Sequence, residues 1–405
     1  TDTGIELDRI SYTDAWYQDP TKADGGYSIE LINPNDPCSA ADNWKASNDP
    51  TGGTPGAQNS VYDITADTQN PFITELIALS PNLLTINFSE GMDSTLLADA
   101  LVSVNPTLTL SNTYILDPFP TSVTFEFSEN LVGSQTYAIS LQNVGDCWLN
   151  TTNLNGTFVL PENPVKGDIV VNEILFDPLT GGSDWIELLN TSNKTIDLKD
   201  WQVANYDNDT IDNNKVITNH YILSPREYVV IGKDSNFVKM NYPATIPGTF
   251  IQMDLPSLNV DSSTVYLIWN FQVMDKVSYT SDWHFALLDV TDGVSLERID
   301  PDGVSDNSSN WHSAAEAIGF ATPGGKNSQY YPAISNGEFN FTSETISPDN
   351  DGFEDVLIVS YTMNEPGLLG KFTIYDDRGR LIKSLFSNEL LATSGTFSWD
   401  GVTDE

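Results

Sequence analysis

The run Asp349-Asn350-Asp351-Gly352-Phe353-Glu354-Asp355 sets oxygen-bearing side chains at alternate positions around a glycine. A short loop of that kind can wrap a hard cation. Asp349, Asp351 and Asp355 would supply carboxylates and Phe353 a backbone carbonyl, and an all-oxygen set suits calcium. The run is shorter than an EF-hand loop and lacks its closing bidentate glutamate, so it is not one. The same residues can build a turn instead, with Asp and Asn bonding their own backbone, and the sequence leaves both readings open. Tyr206-Asp207-Asn208-Asp209 and Asp212-Asn213-Asn214 read as acidic loops.

The two cysteines, Cys38 and Cys147, have neither a histidine nor another cysteine close by to complete a zinc site. A disulfide between them is expected, tying the first sixty residues to the segment that follows. Two unpaired thiols packed as small apolar residues is the other reading. His220, His284 and His312 each stand alone in the sequence, without an HExxH or CxxC partner, and there is no GxSxG elbow, P-loop or dinucleotide fingerprint. Glu173 and Glu187 could form a carboxylate pair for acid–base work. The plainer expectation is that they, with Asn172 and Asn190, satisfy backbone groups at strand ends. Acidic pairs are too numerous to nominate a glycosidase dyad. The chain therefore reads as non-enzymatic, with no catalytic residue to name.

Charge narrows the partners. The 405 residues carry 57 Asp+Glu against 17 Lys+Arg, a formal net charge of −40, and no basic residue lies between Lys45 and Lys166. Nucleic acids and anionic membranes recruit proteins through Lys and Arg, so both are excluded. A hydrophobic share of 39% with 11% aromatic is enough for several cores, which assigns the acidity to folded surfaces. No apolar stretch approaches the roughly 18 residues of a membrane span. The chain opens at Thr1 without a basic or apolar leader and reads as a mature or trimmed product.

The elements that would position these groups are strands. Ile73–Ile77, Thr85–Phe88, Val123–Phe127 and Lys371–Tyr375 gather β-branched and aromatic residues between Gly, Pro, Asn and Asp breakers. Helix is expected only at Thr95–Leu101 and Ser235–Met240. Phe88 and Met92 should pack inward, with Asp93 capping the turn at Leu96. An internal repeat sets the architecture. Asp8-Arg9-Ile10-Ser11-Tyr12 matches Asp275-Lys276-Val277-Ser278-Tyr279, and Tyr27-Ser28-Ile29-Glu30-Leu31 matches Val294-Ser295-Leu296-Glu297-Arg298. Asn43-Trp44 matches Asn310-Trp311, and Thr54–Ser60 matches Thr322–Ser328 one residue further on. Residues 1–60 thus copy 268–328, with the front half of the first copy missing, as in a fragment of something longer. The fold class is all-β, tandem immunoglobulin-like β-sandwiches, with joints near Tyr62–Asn70, Leu160–Gly167 and Gln329–Ser335. Those joints are too short for free tethers.

Three stretches resemble known families. Val170-Val171-Asn172-Glu173-Ile174, Asp177-Pro178, Ser183–Asn190 and Ile196–Trp201, closed by Ser295–Arg298, Asn310-Trp311 and Thr322-Pro323-Gly324, resemble the lamin tail domain as carried by secreted proteins of Bacteroidota-type bacteria. That resemblance implies an immunoglobulin-like sandwich with Trp185, Ile186, Leu188, Ile196, Leu198 and Trp201 in its core. Asn87–Asp93 with Thr136–Ile139 and Val144–Asp146 is similar to a surface-layer-type bacterial Ig-like domain. Ile346–Asp355, Phe372–Asp376, Arg378–Ile382 and Phe397–Gly401 resemble the Ig-like module of flagellar-hook-cap proteins, often associated with type IX secretion; there Arg378-Gly379-Arg380 is a hairpin turn.

The resulting order is 1–62, the C-terminal part of a first lamin tail domain; 63–164, a bacterial Ig-like domain; 165–332, a second lamin tail domain; and 333–405, a hook-cap-like module incomplete at its C-terminus. The resemblances imply export through the periplasm to an extracellular or outer-membrane surface. The implied role is a scaffold or adhesion protein, or a surface subunit of an outer-membrane or secretion complex, with protein partners at the cell envelope. Two other roles remain open. One is the accessory region of a secreted nuclease or phosphatase. The other is glycan binding through an aromatic platform of Trp16, Tyr17, Trp269 and Trp283. Asp93-Ser94-Thr95 and Asp209-Thr210-Ile211 resemble bacterial O-glycosylation sequons.

Overall fold

The computed structural model describes residues 10–38, 41–116, 118–207, 210–331, 338–343, 345–349, 351–376 and 380–403. Asp8-Arg9, Asn208-Asp209, Asn350 and Arg378-Gly379, which carry parts of the readings above, lie outside the described residues. The chain divides into two compact units, Thr1–Leu160 and Pro161–Glu405. Both are all-β.

Unit 1 opens with a 3-10 turn at Asp14–Tyr17 and a short helix α1 (Pro20–Ala23), capped by the Asp19 side chain. An antiparallel ribbon of β1 (Ile29–Leu31) and β2 (Trp44–Ala46) follows, with Glu30 opposite Lys45. Its second part is a sandwich of β3 (Ile73–Ser80), β4 (Leu83–Phe88), helix α2 (Ser94–Ala98), β5 (Leu101–Asn105), β6 (Leu110–Tyr114), β7 (Ser122–Phe127), β8 (Thr136–Gly145) and β9 (Thr151–Val159). One sheet runs β3-β4-β7-β6 and the other β5-β8-β9. Alternation along β4 and β7 sends Leu84, Ile86, Phe88, Val123, Phe125 and Phe127 into a single core with Met92 and Leu97. The Asp93 carboxylate accepts the amides of Thr95 and Leu96 and so starts α2. The helix ends before Leu101, earlier than the sequence suggested. Leu101–Asn105 carries two β-branched valines and pairs along β8 instead. A disulfide joins Cys38 to Cys147, 109 residues apart, with 5.4 Å between their Cα atoms.

Unit 2 begins with a larger sandwich: β10 (Ile169–Leu175), β11 (Trp185–Asn190), β12 (Ile196–Asp197), β13 (Gln202–Asp207), β14 (Thr210–Val216), β15 (Ile222–Leu223), β16 (Tyr228–Gly232), helix α3 (Ser235–Asn241), β17 (Phe250–Gln252), β18 (Ser262–Trp269), β19 (Gln272–Thr280), β20 (Leu296–Arg298) and β21 (Trp311–Ser313). A six-stranded sheet, β17-β16-β11-β10-β20-β21, faces a four-stranded one, β14-β13-β18-β19. Between them lie Ile174, Ile186, Leu188, Ile196, Leu198, Trp201, Val265, Val277, Leu296 and Trp311, all buried. The outer face of the six-stranded sheet is covered too. There Leu175, Trp185 and Val230 meet Val238 and Tyr242 at α3 and Ala321 of the segment after β21. Covering on both faces explains why β10 and β11 are buried at every position.

The last module has β22 (Glu338–Phe341), β23 (Leu357–Thr362), β24 (Leu369–Tyr375), β25 (Leu381–Leu390) and β26 (Ser394–Trp399), in sheets β22-β23-β26 and β24-β25. Gln329 fastens it to the larger sandwich. Its Nε2 donates to the Leu391 carbonyl at 3.3 Å, and its Oε1 accepts the Gly367 amide at 3.0 Å.

The disulfide yields the first prediction. Closing a loop of about 100 residues restricts the unfolded chain, and loss of such a bond typically costs about 2–5 kcal/mol. Urea unfolding of the paired Cys38→Ser, Cys147→Ser variant should therefore show unit 1 melting earlier by that amount, with the unit 2 transition unmoved.

Candidate functional site

The outer face of the six-stranded sheet holds the most heavily charged interior in the protein's described part. Antiparallel register places Glu187 of β11, Glu173 of β10 and Glu297 of β20 side by side across three neighbouring strands. All three are fully buried. Arg298, the next residue along β20, points to the opposite face, where it donates to the carbonyls of Val171, Asp300 and Gly303 and lies 3.6 Å from Asp275. It does not neutralise the glutamates.

The segment Thr322–Gln329 crosses over them and supplies donors instead. Glu173 accepts the Thr322 amide at 2.9 Å and the Ser295 hydroxyl at 2.5 Å. Glu297 accepts the hydroxyls of Thr322 and Ser328 and the Gln329 amide, at 2.7–2.8 Å. Glu187 accepts the Gly324 amide at 2.6 Å and the Asn172 amide group at 2.8 Å. Gly324 can sit there because it has none of the Cβ that would lie 2.0 Å from the Thr249 hydroxyl, and its φ of +84° suits glycine alone.

Burial, reinforced for Glu173 by the Glu297 charge, raises Glu173 to about 8. Burial and the Glu173 charge lift Glu187 well above the usual carboxylate range, and burial raises Glu297. The pairing of Glu173 with Glu187 is thus real in space, but it is sealed from any substrate. It clamps the closing segment to the sheet, and the acid–base reading is set aside. Asn190 serves likewise, its side-chain amide donating to the carbonyls of Lys194, Leu223 and Ser224.

The Asp-rich loop does converge. Carboxylate oxygens of Asp349, Asp351 and Asp355 lie within 4.8 Å of one another on the surface, a spacing that could hold a metal ion. The same loop also makes turn bonds: the amides of Asp351 and Phe353 donate to Asp349 and Asp351, and the Gly352 amide to Asp355. The Phe353 carbonyl lies 3.5 Å from the Ser347 hydroxyl.

A second carboxylate group, missed in the sequence, lies in unit 1. Asp67, Glu90 and Asp146 bring oxygens within the same 4.8 Å. Asp67 and Glu90 line a recess of about 370 Å³ with Asp36, Cys38, Asp63 and Trp148. Burial, then Asp67 and the Asp146 charge, raise Glu90 to about 7. Its three residues are 23 and 56 positions apart in sequence, so no local spacing announces it. The FSEGMD run containing Glu90 was the one available signal.

The histidines are not isolated. His220 Nδ1 lies 2.5 Å from Asp197 Oδ2 and its Nε2 3.1 Å from Lys199 Nζ, bracing the β12–β15 pair. His284 Nδ1 contacts the Ser313 hydroxyl at 2.9 Å inside the fold. His312 Nδ1 lies 3.0 Å from the Ser313 carbonyl. Of the proposed aromatic platform, Trp269 and Trp283 pack on the unit 2 core beside Trp201 and Trp311. Trp16 and Tyr17 line a recess in unit 1 with Ile10, Tyr12, Ile29 and Trp44.

The lamin tail domain family model matches residues 162–281. This is under a third of the chain and covers the sandwich from its first strand through β19. Two solved structures of SbsC, a bacterial S-layer protein, are also similar. The crystal structure of its N-terminal part is 12% identical, with 40% of this chain and 40% of that chain covered and a TM-score of 0.21. Its domains 1–6 are 10% identical, with 83% and 52% covered and a TM-score of 0.20. This chain thus spans about two-fifths and about half of those two chains. No curated protein matches it. The sandwich itself continues past the matched residues, through β20 and β21 to the Thr322–Gln329 segment.

The clamp sets a pH dependence. Carboxyls whose pKa is higher folded than unfolded bind protons on folding, so their contribution is complete below about pH 4.5 and is lost as pH rises through neutrality. Each proton so held gives a slope of about 1.4 kcal/mol per pH unit. The thermal midpoint of unit 2 should accordingly fall between pH 5 and pH 9, and Glu173→Gln should flatten that fall. A midpoint that rises over this range would contradict the assignment.

Proposed function

We propose that this chain is a non-enzymatic scaffold segment of an exported protein, built of rigid Ig-like sandwiches that present loops and edges to protein partners at the cell envelope. The observation that carries this reading is the use of the chemistry-bearing side chains. Glu173, Glu187 and Glu297 are sealed under the closing segment, and His220 and Asp197 brace a strand pair. Sandwiches of this kind are platforms, and function on them lies at edges and loops. The disulfide suits an oxidising compartment. A net charge of −40 keeps an extracellular surface soluble. Among the described residues no helix is long and apolar enough to cross a membrane.

The finer reading places the protein on the outer surface of a Bacteroidota-type cell. Its C-terminal module would accompany type IX secretion, and calcium would be held by Asp349, Asp351, Asp355 and the Phe353 carbonyl. An ion there would replace mutual repulsion of three carboxylates by shared coordination and stiffen the loop before β23.

Two measurements test these statements. Protease added to intact cells should remove the protein from the surface fraction; full protection until lysis would contradict surface exposure. Melting of the full chain in calcium and in EDTA should separate the C-terminal transition by several degrees. A site saturated at 100 times its Kd adds about 2.7 kcal/mol, and Asp351→Ala should remove the difference. Superimposable melts would leave the loop as a hydrogen-bonded turn.

A further inference from the structure

The two copies of the internal repeat share a frame and differ in one loop. The β1–β2 register equals that of β20–β21. Trp16 and Trp44 stand 6.1 Å apart at 32°, and the matching Trp283 and Trp311 stand 6.3 Å apart at 35°. Gly26 and Gly293, also matching, end the loop that follows the first tryptophan, with φ of +84° and +78°. Between these fixed points the first copy reads Gln18-Asp19-Pro20-Thr21-Lys22-Ala23-Asp24-Gly25, and the second Phe285-Ala286-Leu287-Leu288-Asp289-Val290-Thr291-Asp292. A frame that folds around the polar loop does not need the apolar one.

In unit 2 the loop is pinned at both ends. The Phe285 amide donates to the Ser313 hydroxyl at 2.9 Å, and the Gly293 amide to the Asp177 carbonyl at 2.7 Å. Its apolar side chains stay in water all the same: Leu287 and Val290 are 69% and 64% exposed. They wall a groove of about 660 Å³ whose other side is formed by Phe320, Leu369 of β24 and Leu390 of β25. Clefts of that size hold ligands, and clustered apolar side chains left in water mark interaction sites.

The rim of the groove is acidic. Asp289 and Asp292 stand on the loop, and Glu316 on the 3-10 turn Glu316–Ile318 that follows β21. Burial, then the Glu316 charge, raises the neighbouring Glu389. Among the described residues no Lys, Arg or His is paired with Asp289, Asp292 or Glu316. In the first copy the position of Asp289 is held by Lys22. That ammonium donates to the Ser47 carbonyl at 2.9 Å and stands 5.3 Å from the centre of the Tyr27 ring. The matching residues of unit 2 are Ala314, two positions before Glu316, and Val294, which lines the groove. Where the first copy sets its own cation, the second thus sets a carboxylate.

We propose that this groove binds an extended segment of a partner protein in which an aliphatic or aromatic residue is flanked by Lys or Arg. The apolar residue enters between Leu287 and Leu369, and the flanking cations meet Glu316 on the turn and Asp289 and Asp292 on the loop. Carboxylates on two different elements around an apolar middle suit a peptide better than one small cation. The net charge of −40 draws a basic segment in at long range. This partner class deepens the scaffold reading and rests on it.

The probe is a library of short random peptides displayed on phage and selected on the full 405-residue chain. Selected sequences should converge on an aliphatic or aromatic residue with Lys or Arg on both sides. A synthetic peptide of the converged sequence should bind saturably, more weakly as salt rises. Its affinity should fall by about tenfold or more, as for loss of an interface anchor, on a chain carrying Leu287→Ser and Glu316→Lys. Both positions are exposed, so the variant should melt with the parent, and Leu369→Ser gives a second, independent lesion of the groove. Convergence on sequences without Lys or Arg, no convergence at all, or equal binding to the parent and both variants overturns the proposal. So does a chain that sediments alone as a dimer dissociated by Leu287→Ser and Glu316→Lys, which makes a second copy the occupant. Surface exposure in the protease test is read separately, so failure of the groove and failure of the scaffold reading are told apart.

Discussion

Three glutamates on adjacent strands, buried without a cation on their own face, constrain the rest of unit 2. Desolvating carboxylates is tolerable only if they are protonated or surrounded by donors. Thr322, Gly324, Ser328 and Gln329 are placed to provide those donors. The closing segment therefore lies flat across the sheet in one register. Gly324 is the residue its path allows beside Thr249, and Gln329 emerges where it can hold Gly367 and Leu391 of the last module. An apolar outer face would have buried the sheet as well, but would not have fixed which residue of the segment meets which strand.

The same device, reduced to one carboxylate, recurs in unit 1. Glu30 is held by Thr54 and Ser60, with no other glutamate beside it among the described residues. Despite burial, the hydroxyls of Ser60, Thr54 and Ser47 and the Ser60 amide bring it down to about 2, whereas burial under the closing segment raises Glu297 in spite of its similar hydrogen bonds. The comparison shows what full burial does to one carboxylate in two nearly equal cradles. In both units the cradle fixes the first strand of the hairpin to the segment that follows.

Much of this was legible in the sequence. The repeat, the all-β class, the inward packing of Phe88 and Met92 and the Asp93 cap follow from spacing and residue type, which are local signals. The roles of Glu173, Glu187 and Glu297 were not, because an acidic residue inside a strand reads the same whether it faces water or a covering segment. Register across three strands decides that. Asp67, Glu90 and Asp146, and the pairing of His220 with Asp197, escaped for the same reason: their partners are distant in the chain. Thr95–Leu101 read as one helix because Leu96, Leu97 and Leu101 suit helical spacing, while Leu101 belongs to a strand that pairs with β8.

The most direct test of the clamp is amide exchange of Thr322, Gly324 and Gln329 in the intact chain, compared with amides of β10 and β11. If the buried carboxyls fix the closing segment to the sheet, all should exchange together, through the same global opening. Fast, loop-like exchange at Thr322 and Gly324 while β10 and β11 stay protected would show that the segment is not held by the glutamates, and the account would fail.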